Sequence, residues 1–506
     1  MLHAIVIPPP SKSSSERVCT YSNRYINTVG RQQQLELQKK KNLPTLPQFK
    51  GTLVAAPRSY PMLANIFQNC LTFRTTHGQK DTCNTSVTAF GSKILALMEQ
   101  GLPSEISVSK DGKIKTVLAG SNLDGALPNN NPLTGGNLGA HGRTCGKTNE
   151  RFQISYAATP FANPLCRIDV FEEGFKFKRT IPVDVPVAVM THDMAITENY
   201  CVVMDLPLTV RSERLAFDKF PVEFEADSPA RIGLVPRGGT RGPIGDKPKP
   251  KFSSGNDFAA SKGDPDLTSL VTRTDRETNE SEDGTIWFSC LPGIVLHMGT
   301  AREMICEETG RKVAVLHGLK SLPNTPNSFI LSYTAAYLYE WVLDIESGKL
   351  LREGVLNDAQ LVEFPVVDNM TNGMGNCEFV YAAAVERIGG PLLSHNNPSE
   401  GVVIDGVVKF GLYGKDKGKV VGKFTLPTDE WAVSEPTIVE NGYLVMCASR
   451  VSKTTDKKTG FNSMQASFLY VVSTEDMRMV SKVLLPEIMP YGLHSDFASW
   501  NVLSDV

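Results

Sequence analysis

Along most of the chain, short runs rich in Val, Ile, Tyr and Phe alternate with turn-forming pairs. Such runs suit half-buried strands. Asp111-Gly112 lies between EISVSK and KIKTVLAG, and Ser347-Gly348 between FILSYTAAYLYEWVLDIE and KLLREGVL. Asp405-Gly406 separates VVI from VVKFGLYG, and Asn441-Gly442 separates PTIVE from YLVMCASRV. These pairs accept the positive φ that tight hairpins need, so each predicts a turn between antiparallel strands. Hairpins spread over so long a chain predict several small sheets, and radial repetition of such sheets leaves few exposed edges. An all-β propeller is the expected class. No Trp-Asp-type repeat marks the blades, so periodicity leaves their number open.

Three stretches break this pattern. RQQQLELQKKK (31–41) predicts a polar surface helix, whereas 125–137 and 236–257, rich in Gly, Pro and Asn or Lys, predict exposed loops. No apolar run approaches the roughly 18 residues of a membrane-spanning helix, and the N-terminus lacks a basic segment followed by an apolar one.

The 506 residues carry a formal charge of −2, which argues against a nucleic-acid partner. Ten cysteines are scattered with no Cys-x-x-Cys pair and predict reduced thiols. Asn84, Asn279 and Asn369 open glycosylation-type sequons, which we read as chance matches. GRTCGKT (142–148) fails as a phosphate loop because His141 stands where the first glycine is required, and no Gly-x-Ser-x-Gly occurs.

Eight histidines remain as candidate chemistry: His3, His77, His141, His192, His297, His317, His395 and His494. None forms His-Glu-x-x-His, so a helical zinc site is not signalled. His192 and His297 sit in apolar, strand-like settings, and His494 follows a Pro-Tyr-Gly turn. A single histidine in an apolar strand is more often a satisfied core residue than a ligand. In a propeller, however, inner strands converge on one axis, where histidines from different blades can meet. Neutral imidazole serves iron, copper and zinc alike, so ligand type leaves the metal open.

The residues around four of these histidines resemble the carotenoid cleavage dioxygenase (carotenoid oxygenase) family along nearly the whole chain. The matching segments are GAHGRT around His141, VMTHDMAITENYCVVMDLPL around His192, WFSCLPGIVLHMGTARE around His297 and LLPEIMPYGLHSDFASW around His494. ARIGLVPR, YLYEWVLDIESGKL, LVEFPVVDN and SEPTIV lie between them, all in the family's order. The resemblance implies a seven-bladed propeller spanning 1–506, with a cap of loops and helices over an axial iron(II) held by His141, His192, His297 and His494. It implies that Glu99, Glu363 and Glu435 hold the ligands from behind, as carboxylates do for metal-bound imidazoles. It places Thr85 near the open coordination position. The implied reaction is cleavage of a carbon–carbon double bond by O₂, with a carotenoid or apocarotenoid as substrate and an apolar patch for peripheral membrane contact. The compartment expected is cytoplasm or plastid.

The chain departs from the family pattern at three places. The family's usual proline after the first ligand is Gly142. MLHAIVI resembles a segment that lies well inside other members, which suggests a truncated or mis-started chain. Met98 stands where stilbene-cleaving relatives carry a lysine that, with a tyrosine, engages a phenol. Methionine cannot bind a phenolate in that way, which favours a polyene over a hydroxystilbene. A stilbene dioxygenase, a retinyl-ester isomerohydrolase and a non-catalytic propeller scaffold remain the alternatives.

Overall fold

Turn chemistry and strand alternation produce successive antiparallel meanders. The computed structural model describes residues 1–9, 19–48, 62–73, 81–127, 137–157, 162–217, 221–238, 284–321, 336–392, 402–440, 442–455 and 462–505. A first sheet runs from Ser86–Phe90 to Ile114–Leu118, a second from Gly142–Thr144 to Lys176–Val183, and a third from Ala195–Ile196 to Ile286–Ser289, each of four strands. A seven-stranded sheet spans Ile294–Ile305 to Val420–Thr425, and a five-stranded sheet runs from Glu430–Ala432 to Met479–Leu484. The architecture is a mostly-β propeller, as expected.

Apolar side chains weld each sheet to the next. Leu95 and Leu97 of the first sheet pack with Phe171 of the second, and Ile154 and Ile168 of the second with Val203 and Val235 of the third. Ile232 and Phe288 of the third sheet meet Leu316 and Trp341 of the seven-stranded sheet, whose Ala383 and Val407 meet Leu444 and Tyr470 of the last. The N-terminal hairpin, Leu2–Val6 paired with Thr20–Arg24, lies between the last sheet and the first. Strand side chains alternate between faces. Leu2, Ala4 and Val6 accordingly pack with the first sheet, whereas Ile5 and Tyr21 pack with the last. The C-terminal segment completes this seam. Asp496 accepts from the Ala89 N–H at 2.9 Å, and Ser504 bridges to Ser109.

Three of the predicted hairpin turns hold. Gly112, Gly348 and Gly442 all adopt positive φ between paired strands, although Asn441 lies outside the described residues. Asp405-Gly406 is a correction: both residues lie inside one continuous strand, Val402–Gly411. A Cβ on Gly406 would sit 2.1 Å from the Phe424 carbonyl oxygen, and the ladder shifts register beside it, between Ala384 and Val385. The glycine serves a bulge and a close strand approach rather than a turn.

The polar stretch predicted over 31–41 forms the helix Val29–Lys41. Thr28 caps its start, Asn42 in the left-handed region caps its end, and three lysines occupy its last turn. The predicted loops fall largely outside the described residues, which include only 125–127 and 137 of one and 236–238 of the other. All ten cysteines are free. Among the described residues, no helix is long and apolar enough to cross a membrane.

Candidate metal centre

The four histidines expected as ligands come together. His141 directly precedes the strand Gly142–Thr144, and His192 lies just before Ala195–Ile196. His297 is within Ile294–Ile305, and His494 is on the C-terminal segment after Met479–Leu484. Three of these strands are edge strands of different sheets, so converging sheet edges bring together residues remote in sequence. One ligand atom from each histidine lies within 4.8 Å of all the others. Ring centroids of neighbouring histidines are 4.4 to 5.3 Å apart. Opposed nitrogens on a metal with bonds of about 2.1 Å would be about 4.2 Å apart, so a small contraction closes the site around an ion.

Carboxylates sit behind three of the rings. Glu363 Oε2 is 3.0 Å from His297 Nδ1, and Glu435 Oε2 is 2.8 Å from His494 Nδ1. Glu99 Oε1 is 3.0 Å from His192 Nδ1, although its approach is too skewed for a well-formed hydrogen bond. These contacts engage Nδ1 and leave Nε2 to face the centre. The Nε2 atoms of His141 and His297 are buried with no partner. A buried polar atom without a partner costs about 1–3 kcal/mol, and a metal ion at the centre removes that cost. The donor set therefore fits a divalent cation.

The electrostatics agree. Burial, with the neighbouring histidines, holds the His141 pKa well below its ordinary value. Burial also lowers His297, against the opposing pull of Glu363. For Glu363, burial works to raise the pKa, but the His297 contact and the Phe364 N–H outweigh it and keep the carboxyl below its usual value. Both shifts favour a neutral His297 imidazole beside an ionised Glu363. At His192, burial is outweighed by Glu99 and Asp193, which raise its pKa.

Several supporting residues were not singled out from sequence. Arg143 Nη2 donates to Asp193 Oδ2 and to the Met298 carbonyl, both at 2.6 Å, and Asp193 Oδ2 accepts from the Met298 N–H at 2.9 Å. This clamp joins the segments that carry His141, His192 and His297. The sequence signal was adjacency alone, since each member lies within two residues of a ligand. Phe364 adopts φ of 50°, a conformation that a bulky residue holds only under tertiary constraint. There it donates its N–H to Glu363 Oε2 at 2.8 Å, and its ring lies 5.5 and 5.3 Å from those of His297 and His494. Gly142 also has a structural reason: a Cβ there would meet Gln153 Oε1 at 2.3 Å and the Phe152 carbonyl at 2.6 Å.

Thr85 is half-buried, directly before Ser86–Phe90, and its N–H donates to Leu97 O at 3.1 Å. That places it beside the segment leading to Glu99. His317 is buried elsewhere against Glu340, and His3 bonds Tyr21. His77 and His395 lie outside the described residues. A cavity of about 1030 Å³ opens onto His141, His297 and His494.

The profile of the family described as "Retinal pigment epithelial membrane protein" matches residues 1–499. The chain belongs to this family. Its members include the carotenoid cleavage oxygenases, non-heme iron dioxygenases that cleave carbon–carbon double bonds, and four histidines of this kind hold their iron(II). The chain is 25% identical over 454 residues to a carotenoid 9,10(9',10')-cleavage dioxygenase of Phaseolus vulgaris, covering 84% of this chain and 68% of the relative. It is 28% identical to resveratrol cleavage oxygenase 1 of Aspergillus fumigatus, but over 35% of this chain and 33% of that protein. In fold, the chain resembles the lignostilbene dioxygenase of Pseudomonas brassicacearum, with a TM-score of 0.62, 19% identity and coverage of 95% of this chain and 84% of the other. A cobalt-substituted ACO from Synechocystis gives a TM-score of 0.62 at 18% identity, with the same coverage.

Proposed function

We propose that this oxygenase cleaves a double bond of a carotenoid or apocarotenoid, adding one atom of O₂ to each carbon and giving two carbonyl products. The observation that carries the reading is the ring of four histidines, two buried and two half-buried, backed by three carboxylates. Met98 then discriminates between substrate classes. Its sulfur accepts the Thr82 N–H at 3.2 Å and offers no charge to a phenol. The similarity to plant carotenoid dioxygenases, which covers 84% of the chain, points the same way.

Iron(II), when bound, activates O₂ for addition across the double bond. The chain's own residues build the platform. Glu99, Glu363 and Glu435 keep the imidazoles oriented and basic. The Arg143–Asp193–Met298 clamp holds three ligand segments in register. Thr85, beside the Glu99 segment, would lie near the open coordination position of a bound iron.

Hydroxystilbene cleavage is the second reading, favoured by the shorter match to the resveratrol enzyme. Iron-loaded protein supplied separately with β-carotene, an apocarotenal and resveratrol decides between them. Paired carbonyl products from a polyene, with resveratrol unchanged by liquid chromatography and mass spectrometry, are expected. Cleavage of resveratrol alone would reverse the assignment.

An exposed apolar patch supports peripheral membrane contact. Phe67 and Leu71 stand one helical turn apart on Met62–Phe73, 67% and 68% exposed, and that helix touches the segment Ser212–Phe217, where Phe217 is 76% exposed. Burying each such side chain in lipid contributes about 1.5–3 kcal/mol. The double variant Phe67→Ser, Leu71→Ser is expected to co-sediment with phospholipid vesicles at least about tenfold less than the parent. Equal sedimentation would remove the patch from the membrane reading. The chloroplastic relatives make a plastid one candidate compartment, alongside the cytoplasm.

A further inference from the structure

The cavity over the histidines combines an apolar wall, which includes Val87, Phe364, Val366 and Ile438, with a set of acidic side chains. It carries six carboxylates, from Glu173, Asp193, Asp368, Glu435, Glu440 and Asp496, against two guanidinium groups, from Arg143 and Arg151. Arg143 is committed to Asp193 at 2.6 Å, and the charges of Arg151 and Asp496 act on each other. The lining as a whole therefore stays negative. Polar ligands can be exchanged along this acidic side at little desolvation cost, because its outer groups stay in water. Its outer residues, Glu173, Asp368 and Glu440, are exposed, whereas His141 and His297 at its floor are 8% and 7% exposed with unpartnered Nε2 atoms. A path thus leads from surface carboxylates to buried, neutral ligand atoms.

We propose that this cavity is the loading route by which a hydrated divalent cation reaches the four histidines. The inference rests on the metal-centre reading above. Carboxylates at the mouth of a cleft with low-dielectric walls focus field lines and raise the local concentration of cations. Asp496 is placed along the route, with its carboxylate held by the N–H groups of Ala89 at 2.9 Å and Phe497 at 2.8 Å. Water and carboxylate oxygens along the wall can replace lost hydration stepwise, which an apolar tunnel cannot do. The imidazoles then take the ion at the floor.

The test is the rate at which chelator-stripped, full-length protein takes up Co²⁺, read by stopped flow from the visible bands of the bound ion. The variant Glu173→Gln, Glu440→Gln alters two exposed mouth carboxylates remote from the ligand rings. The second-order uptake rate is expected to fall about tenfold in the variant, a modest share of what electrostatic focusing can supply. Final cobalt stoichiometry should be unchanged. Parent uptake should also slow steeply as ionic strength rises from about 0.02 to 0.5 M, a measurement that needs no variant. Equal uptake rates in parent and variant, or parent uptake indifferent to salt, would overturn the route. A parent that binds no cobalt at all would instead overturn the metal centre itself.

Discussion

Replacing His297 with alanine is expected to leave less than about a tenth of the parent's iron in the purified protein and to abolish double-bond cleavage. The substitution removes one of four ligand atoms and also strands Glu363. That carboxylate is 2% exposed and keeps its charge through the 3.0 Å contact with His297 and the Phe364 N–H. Leaving a buried acceptor without its hydrogen-bond partner costs about 1–3 kcal/mol, and more when it is charged, so the variant should also melt below the parent. Metal analysis, a thermal melt and product detection read the three effects separately. Near-stoichiometric iron in a folded His297→Ala protein would exclude His297 as a ligand.

The second large effect is expected at Glu363, through its hold on His297 rather than contact with the metal. Glu363→Gln preserves shape but removes the negative charge that orients the imidazole and raises its basicity. Losing such a partner typically costs 10–100-fold in metal affinity or activity. The variant should therefore bind Co²⁺ or Fe²⁺ about 10–100-fold more weakly in a chelator competition, and saturating metal should restore part of its activity. Glu363→Asp, which keeps the charge on a shorter side chain, should fall between the two. Unchanged affinity in the Gln variant would reduce Glu363 to a packing residue. Loss of affinity with the melt unchanged would separate tuning of the metal from a general loss of fold.

The strands and most of their turns were legible because they depend on neighbours in sequence. A Gly flanked by alternating apolar residues turns the chain at Gly112, Gly348 and Gly442 whatever lies elsewhere. Gly406 carries the same local signature, yet its role comes from the Phe424 carbonyl of the next strand, which no local window contains. Phe364 is a similar case. Nothing in EFPVV announces a positive φ, because that conformation is sustained by Glu363 and by the rings of two distant histidines.

The centre divides along the same line. The identity of the four histidines and three glutamates could be read from family-like segments, each a local string of residues. Composition and spacing alone left the histidines as ordinary core residues. What tertiary structure decided is their convergence: edge strands of separate sheets, and a C-terminal segment drawn back to the first sheet, set His141 beside His494 with ring centroids 4.4 Å apart. The same convergence created the Arg143–Asp193–Met298 clamp and the acidic cavity, neither of which has a sequence motif. The chain by itself thus determined which side chains can ligate and where it turns, because those depend on residue chemistry and near neighbours. The packing of sheet against sheet decided which of them meet, which stay neutral and what charge faces the centre, because distance and burial are properties of the closed ring.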